Sequence, residues 1–197
     1  VERHLIEAVA RLELLDAIPA LAERLAKGKP PVKLFAAAAM IELGQGNERV
    51  QGTLRDLVGG SDATLRRDAL VALGAVPDPS PASLTLLEGV VADPDPAVRA
   101  AAARGLATKA STYAEQLTAL QQDASPQVRA WAASPPPPEG CDDVLRACLA
   151  TEDAVARSVA LRALGRDAAR LAPAKDLARA ALEDGDLRVR RAASRPS

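Results

Sequence analysis

The sequence predicts an all-α chain: a right-handed α-solenoid of about six helix pairs. Three observations carry that reading. A short apolar-Arg signature recurs at Leu65-Arg66, Val98-Arg99, Val128-Arg129, Ala156-Arg157 and Val189-Arg190, with the arginines 33, 30, 28 and 33 residues apart. Self-similarity at this period is the mark of a repeat architecture. Alanine, the strongest helix former, makes up roughly a fifth of the residues. No stretch combines period-two alternation with the β-branched content of a strand.

One helix of each repeat carries the arginine. Between these helices lie second helical patterns at 17–26, 48–58, 83–91, 113–121, 142–149 and 174–182. Ala69, Ala102, Ala132, Ala160 and Ala193 follow the arginines by three, and Leu73, Leu106 and Leu164 follow three of them by seven. These offsets put the small residue and the leucine on one stripe of a helix. Asp95-Pro96 and Ser125-Pro126 place a capping side chain before a proline at the first helical position. Gly44, Gly74 and Gly165 follow Leu43, Leu73 and Leu164 and are expected as left-handed caps. Asp142-Asp143 and Glu152-Asp153 fall at helix starts, where acids favour the dipole.

Two departures interrupt the pattern. The copy at 127–134 runs into Pro135-Pro136-Pro137-Pro138, so its helix must stop about one turn early and give way to an extended polyproline segment. The last copy begins at Leu187 and reaches Ser197 without its Leu-Gly; Arg188, Arg190, Arg191 and Arg195 lend that end polarity. The expected organisation is one domain over 1–197: divergent N-terminal repeats at 1–45, regular repeats at 46–134, a proline-rich break at 135–140, and C-terminal repeats at 141–197 with the last incomplete. The chain starts without Met and reads as a processed or trimmed piece of a larger chain or assembly.

The segments "DPDPAVRAAAARGL" (93–106), "SDATLRRDALVALG" (61–74) and "TEDAVARSVALRALG" (151–165) resemble HEAT repeats, in particular the short HEAT-like repeats of phycobilisome lyases. The resemblance extends over nearly the whole chain and is weakest before residue 45. It implies a stack of helix pairs sharing one core. It implies little about activity, because such repeats serve scaffolds, regulators, lyases and nucleic-acid enzymes alike.

Composition narrows the function. With 25 basic and 26 acidic side chains the net charge is −1, which disfavours nucleic acid as the partner because counterion release needs a basic surplus. A lone histidine, His4, excludes catalysis built on several histidines and the repeated His-Glu ligands of HEAT-type metal hydroxylases; a solvated or capping role is expected for it. No metal site and no cofactor are expected. Cys141 and Cys148 lie seven apart on a helical pattern, too far for a disulfide, and read as half-buried thiols. No apolar run is long enough to cross a bilayer and no signal peptide starts the chain, so the expected compartment is the cytoplasm. Arg outnumbers Lys 20 to 5, which with the Ala and Pro excess fits a GC-rich bacterial genome.

The expected function is a non-enzymatic protein–protein interaction scaffold or adaptor that offers a curved helical surface to another protein. The candidate partner-binding residues are Arg67, Arg99, Arg104, Arg129, Trp131, Arg157, Arg162 and Arg190. The repeating arginines also suit a structural ladder, since a guanidinium fork matches carboxylates and turn carbonyls of its own and adjacent repeats. Trp131 stands where sister copies have Asp68, Ala101 and Val159; it is expected to be partly exposed, packed on Pro135 or Pro136 or serving as a binding hot spot. The alternatives are a nucleic-acid binder like the HEAT-like DNA glycosylases, and a HEAT-like chromophore lyase or chaperone subunit.

Overall fold

A computed structural model describes residues 15–134, 141–166 and 168–194. His4, the polyproline segment Pro135-Pro136-Pro137-Pro138 and Arg195 lie outside them. The described residues form helices and turns, with no strand among them. Twelve α-helices make six consecutive pairs: α1 (Ile18–Lys27) with α2 (Pro30–Glu42), α3 (Glu48–Val58) with α4 (Ala63–Leu73), α5 (Pro81–Glu88) with α6 (Pro96–Leu106), α7 (Ala114–Leu120) with α8 (Pro126–Ala132), α9 (Cys141–Leu149) with α10 (Ala154–Leu164), and α11 (Lys175–Ala180) with α12 (Leu187–Ala193). A one-turn helix, Ala168–Leu171, leads into the last pair.

The even-numbered helices form one row, in which α2, α4, α6, α8, α10 and α12 each pack on the next. Their partners cover the other side and approach one another far less. A stack whose one row is tighter than the other bends toward the tight row, which is therefore the inner, concave one.

Small residues make the tight row possible. Ala69, Ala102, Ala132 and Ala160 are all buried, as are Leu73, Leu106 and Leu164 on the same stripe. Val98 and Val128 occupy the same buried place in neighbouring repeats. The glycines expected as left-handed caps divide. Gly44 has φ of 74°, whereas Gly74 and Gly165 are right-handed, with φ of −66° and −67°. Gly74 is small for another reason: a Cβ there would stand 2.2 Å from the backbone oxygen of Ala101, where α4 abuts α6.

Helix starts follow the sequence with one correction. Asp62, Asp95, Asp153 and Asp186 cap α4, α6, α10 and α12 through their side chains. Ser125 holds the cap position of α8 without such a bond; Asp123 accepts from its N–H instead, at 2.8 Å. The α8 helix is only seven residues long, against eleven in α4, α6 and α10.

The apolar core falls into two clusters that meet at α8. Val128 and Ala132 belong to the N-terminal cluster and Ala130 to the C-terminal one, while Trp131 touches both. At the C-terminal pair, Leu177, Leu182 and Leu187 are exposed. No helix among the described residues is long and apolar enough to cross a membrane.

Candidate functional site: the arginines of the inner row

The candidate arginines separate into two groups at opposite ends of the inner helices. The ladder group lies near the helix starts, where each guanidinium can reach the turn that leads into its own helix. Arg99 donates to the Asp93 and Pro94 carbonyls, Arg129 to those of Asp123 and Ala124, Arg157 to that of Thr151, and Arg190 to those of Asp184 and Gly185.

Two ladder members also reach forward one repeat. Arg99 grips Asp123 through two bonds of 2.7 and 3.0 Å, and Arg157 grips Asp184 through two of 2.9 and 3.0 Å. The Arg99 guanidinium holds the Asp123 carboxyl below its usual range, as Arg157 does for Asp184. Each of these acids has a second task. Asp93, Asp123 and Asp184 all accept from the N–H two residues on, at 2.8 Å, which folds the turn.

Arg129 and Arg66 make no such forward bond. Arg129 faces a repeat that has Thr151 in place of the aspartate, and Thr151 bonds back to Cys148. Arg66 is exposed and lines a shallow groove with Asp93 without bonding it. Arg67 is likewise exposed and is taken up by the adjacent Asp68. The bidentate pairs and the carbonyl contacts are internal to the stack, so they account for the periodicity of the arginines without a ligand.

The second group lies near the helix ends. Arg104, in the last turn of α6, and Arg162, in the last turn of α10, approach the Trp131 ring from the two helices that flank α8. Their guanidinium carbons are 4.8 and 5.8 Å from its centroid, within cation–π range. Trp131 is half-buried, and its neighbours here are arginines; the prolines expected beneath it lie outside the described residues. Arg166, one turn beyond Arg162, was not among the expected residues; its only signal is that spacing. It donates to the Ser134 carbonyl at 3.0 Å and lines a groove of about 320 Å³ with Arg104, Trp131, Thr108 and Pro77.

Between repeats three and two a different polar element closes the stack. Gln51, buried on α3, donates to the Gly46 and Asp78 carbonyls and accepts from the Ser80 N–H and the Ser83 hydroxyl. Arg55 donates to both serine hydroxyls. Every group in this set has a partner, so it holds α3 to α5 without an unmet polar atom.

Both thiols are free, and both are fully buried rather than half-buried. Burial pushes each thiol pKa up, against the smaller opposing pull of Gln121 on Cys141 and of Arg129 on Cys148. Among the described residues no group of three or more His, Cys, Asp or Glu is placed to hold a metal ion.

Residues 18–107 match the family model of HEAT repeats. That segment is similar to HEAT repeats, and the helix-pair unit it contains continues to α12. Among solved structures, the complex of CpcE and CpcF of phycocyanin lyase from Nostoc sp. PCC7120 matches with a TM-score of 0.61 at 20% identity, covering 96% of this chain and 85% of that one. An engineered protein matches with a TM-score of 0.44 at 20% identity, over 89% of this chain and 93% of that one. No curated protein sequence matches the chain.

Proposed function

We propose that this chain is a non-enzymatic protein–protein interaction module that presents its concave inner row to a partner protein. The observation that carries this reading is the division of labour among the arginines. Arg99, Arg129, Arg157 and Arg190 are spent on holding the stack, which leaves a rigid curved row whose remaining side chains are available for recognition. The buried thiols, with their raised pKa, are poor nucleophiles, which favours binding over covalent chemistry. The likeness to a lyase subunit at 20% identity supports a common fold, and that neighbour is itself a complex of two proteins, in keeping with a protein partner here. Assembly in the cytoplasm of a bacterium is part of the same reading.

The test is affinity capture from native lysate with mass spectrometry, using two surface variants. Arg67→Glu/Val71→Glu alters exposed positions of α4 on the inner row, and Lys27→Glu/Glu115→Lys alters the outer helices α1 and α7. The expected result is a protein retained by the wild type and the outer variant and lost by the inner one. Equal retention by both variants, or none above a bare-resin control, overturns the proposal.

A further inference from the structure

Arg104 and Arg162 hold the same place in their repeats; in the repeat between them that place is Ser134, and Trp131 stands one turn earlier on α8. Two guanidinium groups, those of Arg104 and Arg162, therefore approach one indole, and Arg166 lines the groove beside Arg104 and Trp131. Among the described residues neither Arg104 nor Arg162 is ion-paired with a carboxylate. Elsewhere on the molecule Arg99, Arg157 and Arg170 are each held by an aspartate.

The cluster is electrostatically unsatisfied. Burial and the nearby charge of Arg162 both lower the pKa of Arg104. Arg162 is exposed to solvent; the protein atoms around it and the charge of Arg166 lower its pKa as well. A half-buried guanidinium such as that of Arg104, beside a like charge and without a counterion, carries a free-energy cost that a bound anion relieves. The planar donor fork of arginine is matched to a carboxylate.

We propose that this groove docks a segment of a partner protein rich in aspartate and glutamate, with a carboxylate seated at Arg104 beside Trp131 and the charge of Arg162, against the same indole, adding to the attraction. The proposal rests on the interaction-module reading and gives its partner a chemistry. A peptide fits better than a nucleic acid because the basic groups do not continue as a track. The ladder at the other end of the helices is closed by Asp123 and Asp184, and the net charge is −1. A polyanion gains affinity from many adjacent cations, whereas a short acidic motif needs only two or three.

Trp131 is the only tryptophan of the chain, so its emission reports on the groove directly. The probe is a blocked hexaglutamate peptide at low salt, with oligothymidylate as the competing polyanion. The expected result is a saturable change in emission, with affinity falling about tenfold or more in Arg104→Gln/Arg162→Gln. Arg188→Gln, an exposed arginine paired with Asp186 on α12, should bind like the wild type. Helicity by circular dichroism checks that the double variant is folded; Arg104→Lys/Arg162→Lys, which keeps the charge and removes the fork, should bind at intermediate strength.

Absence of saturation, equal binding by Arg104→Gln/Arg162→Gln, or tighter binding of oligothymidylate than of the peptide overturns the proposal. The last outcome assigns the groove to nucleic acid. The capture variants in α4 lie outside this groove. Selective capture combined with no peptide binding would therefore remove the groove assignment alone, and loss of selective capture would remove the module reading itself.

Discussion

Arg99 and Asp123 lie 24 residues apart in the chain and are joined by two parallel hydrogen bonds that tie one repeat to the next. Both side chains are mostly buried, at 18% and 11% exposure, so the pair is shielded from the screening that weakens surface ion pairs. Asp123 also fixes the turn before α8 by accepting from Ser125. Replacing it removes both functions and leaves Arg99 without its counterion. Asp123→Ala should cost about 2–3 kcal/mol of unfolding free energy by urea denaturation. A double-mutant cycle with Arg99→Gln should return a coupling of about 1 kcal/mol or more, well above additivity error.

The acid limb of stability should show the turn aspartates. Asp186 is held down to about 2 by the side chain and backbone N–H of Arg188. A carboxyl with a depressed folded-state pKa stabilises the fold fully above its unfolded value and loses that contribution as pH falls through the folded one. For Asp186 the window runs from 3.8 down to about 2. Asp123 and Asp184 are shifted in the same direction and add to the slope. The thermal midpoint should therefore fall with pH across that window, and Asp186→Asn should flatten part of the fall.

Gly74 and Gly105 should respond differently to a methyl group. At Gly74 the added Cβ meets backbone, the Ala101 oxygen at 2.2 Å, and α4 must move away from α6. At Gly105 it meets the Leu87 Cδ1 at 2.3 Å, the far end of a flexible side chain. Gly74→Ala should destabilise by about 2–3 kcal/mol and Gly105→Ala by about 1 kcal/mol, the ordinary span of overpacking costs. Chemical denaturation of the two variants side by side measures the order.

Removing Gln51 should strand several polar groups at once. Gln51→Leu preserves much of the volume and leaves the Ser80 N–H, the Ser83 hydroxyl and two carbonyls without their buried partner. The expected cost is about 2–3 kcal/mol, larger than a single neutral hydrogen bond, because the members are shared. Hydrogen exchange should show the loss first at the start of α5.

The thiols should be silent in the native state. Cys141 and Cys148 are buried and their pKa values are raised. Ellman's reagent should react with them at least about tenfold more slowly than with the denatured chain, since the thiolate is the reactive form and must be reached.

The fold was legible because its determinants are periodic: one apolar stripe, one arginine and one proline or acid per repeat can be aligned by eye. Ladder pairing was legible in kind, but its direction was not. That Arg99 chooses Asp123 rather than Asp95, and that Thr151 denies Arg129 a forward partner, depends on how far one repeat is rotated on the next. Gly74 looked like a cap because it follows a helix; only the approach of Ala101 reveals its constraint. The grouping of Arg104, Trp131 and Arg162 was hidden for a similar reason. The three come from three helices and two register positions, so no single-helix pattern brings them together.

The division of the apolar core at α8 has a mechanical consequence. Neighbour-only contacts mean that stress applied to the ends of the rod is borne in series, layer by layer. Because α8 divides its alanines between two interiors, any load passed from one half to the other crosses this helix, and the indole that touches both clusters is placed to register it.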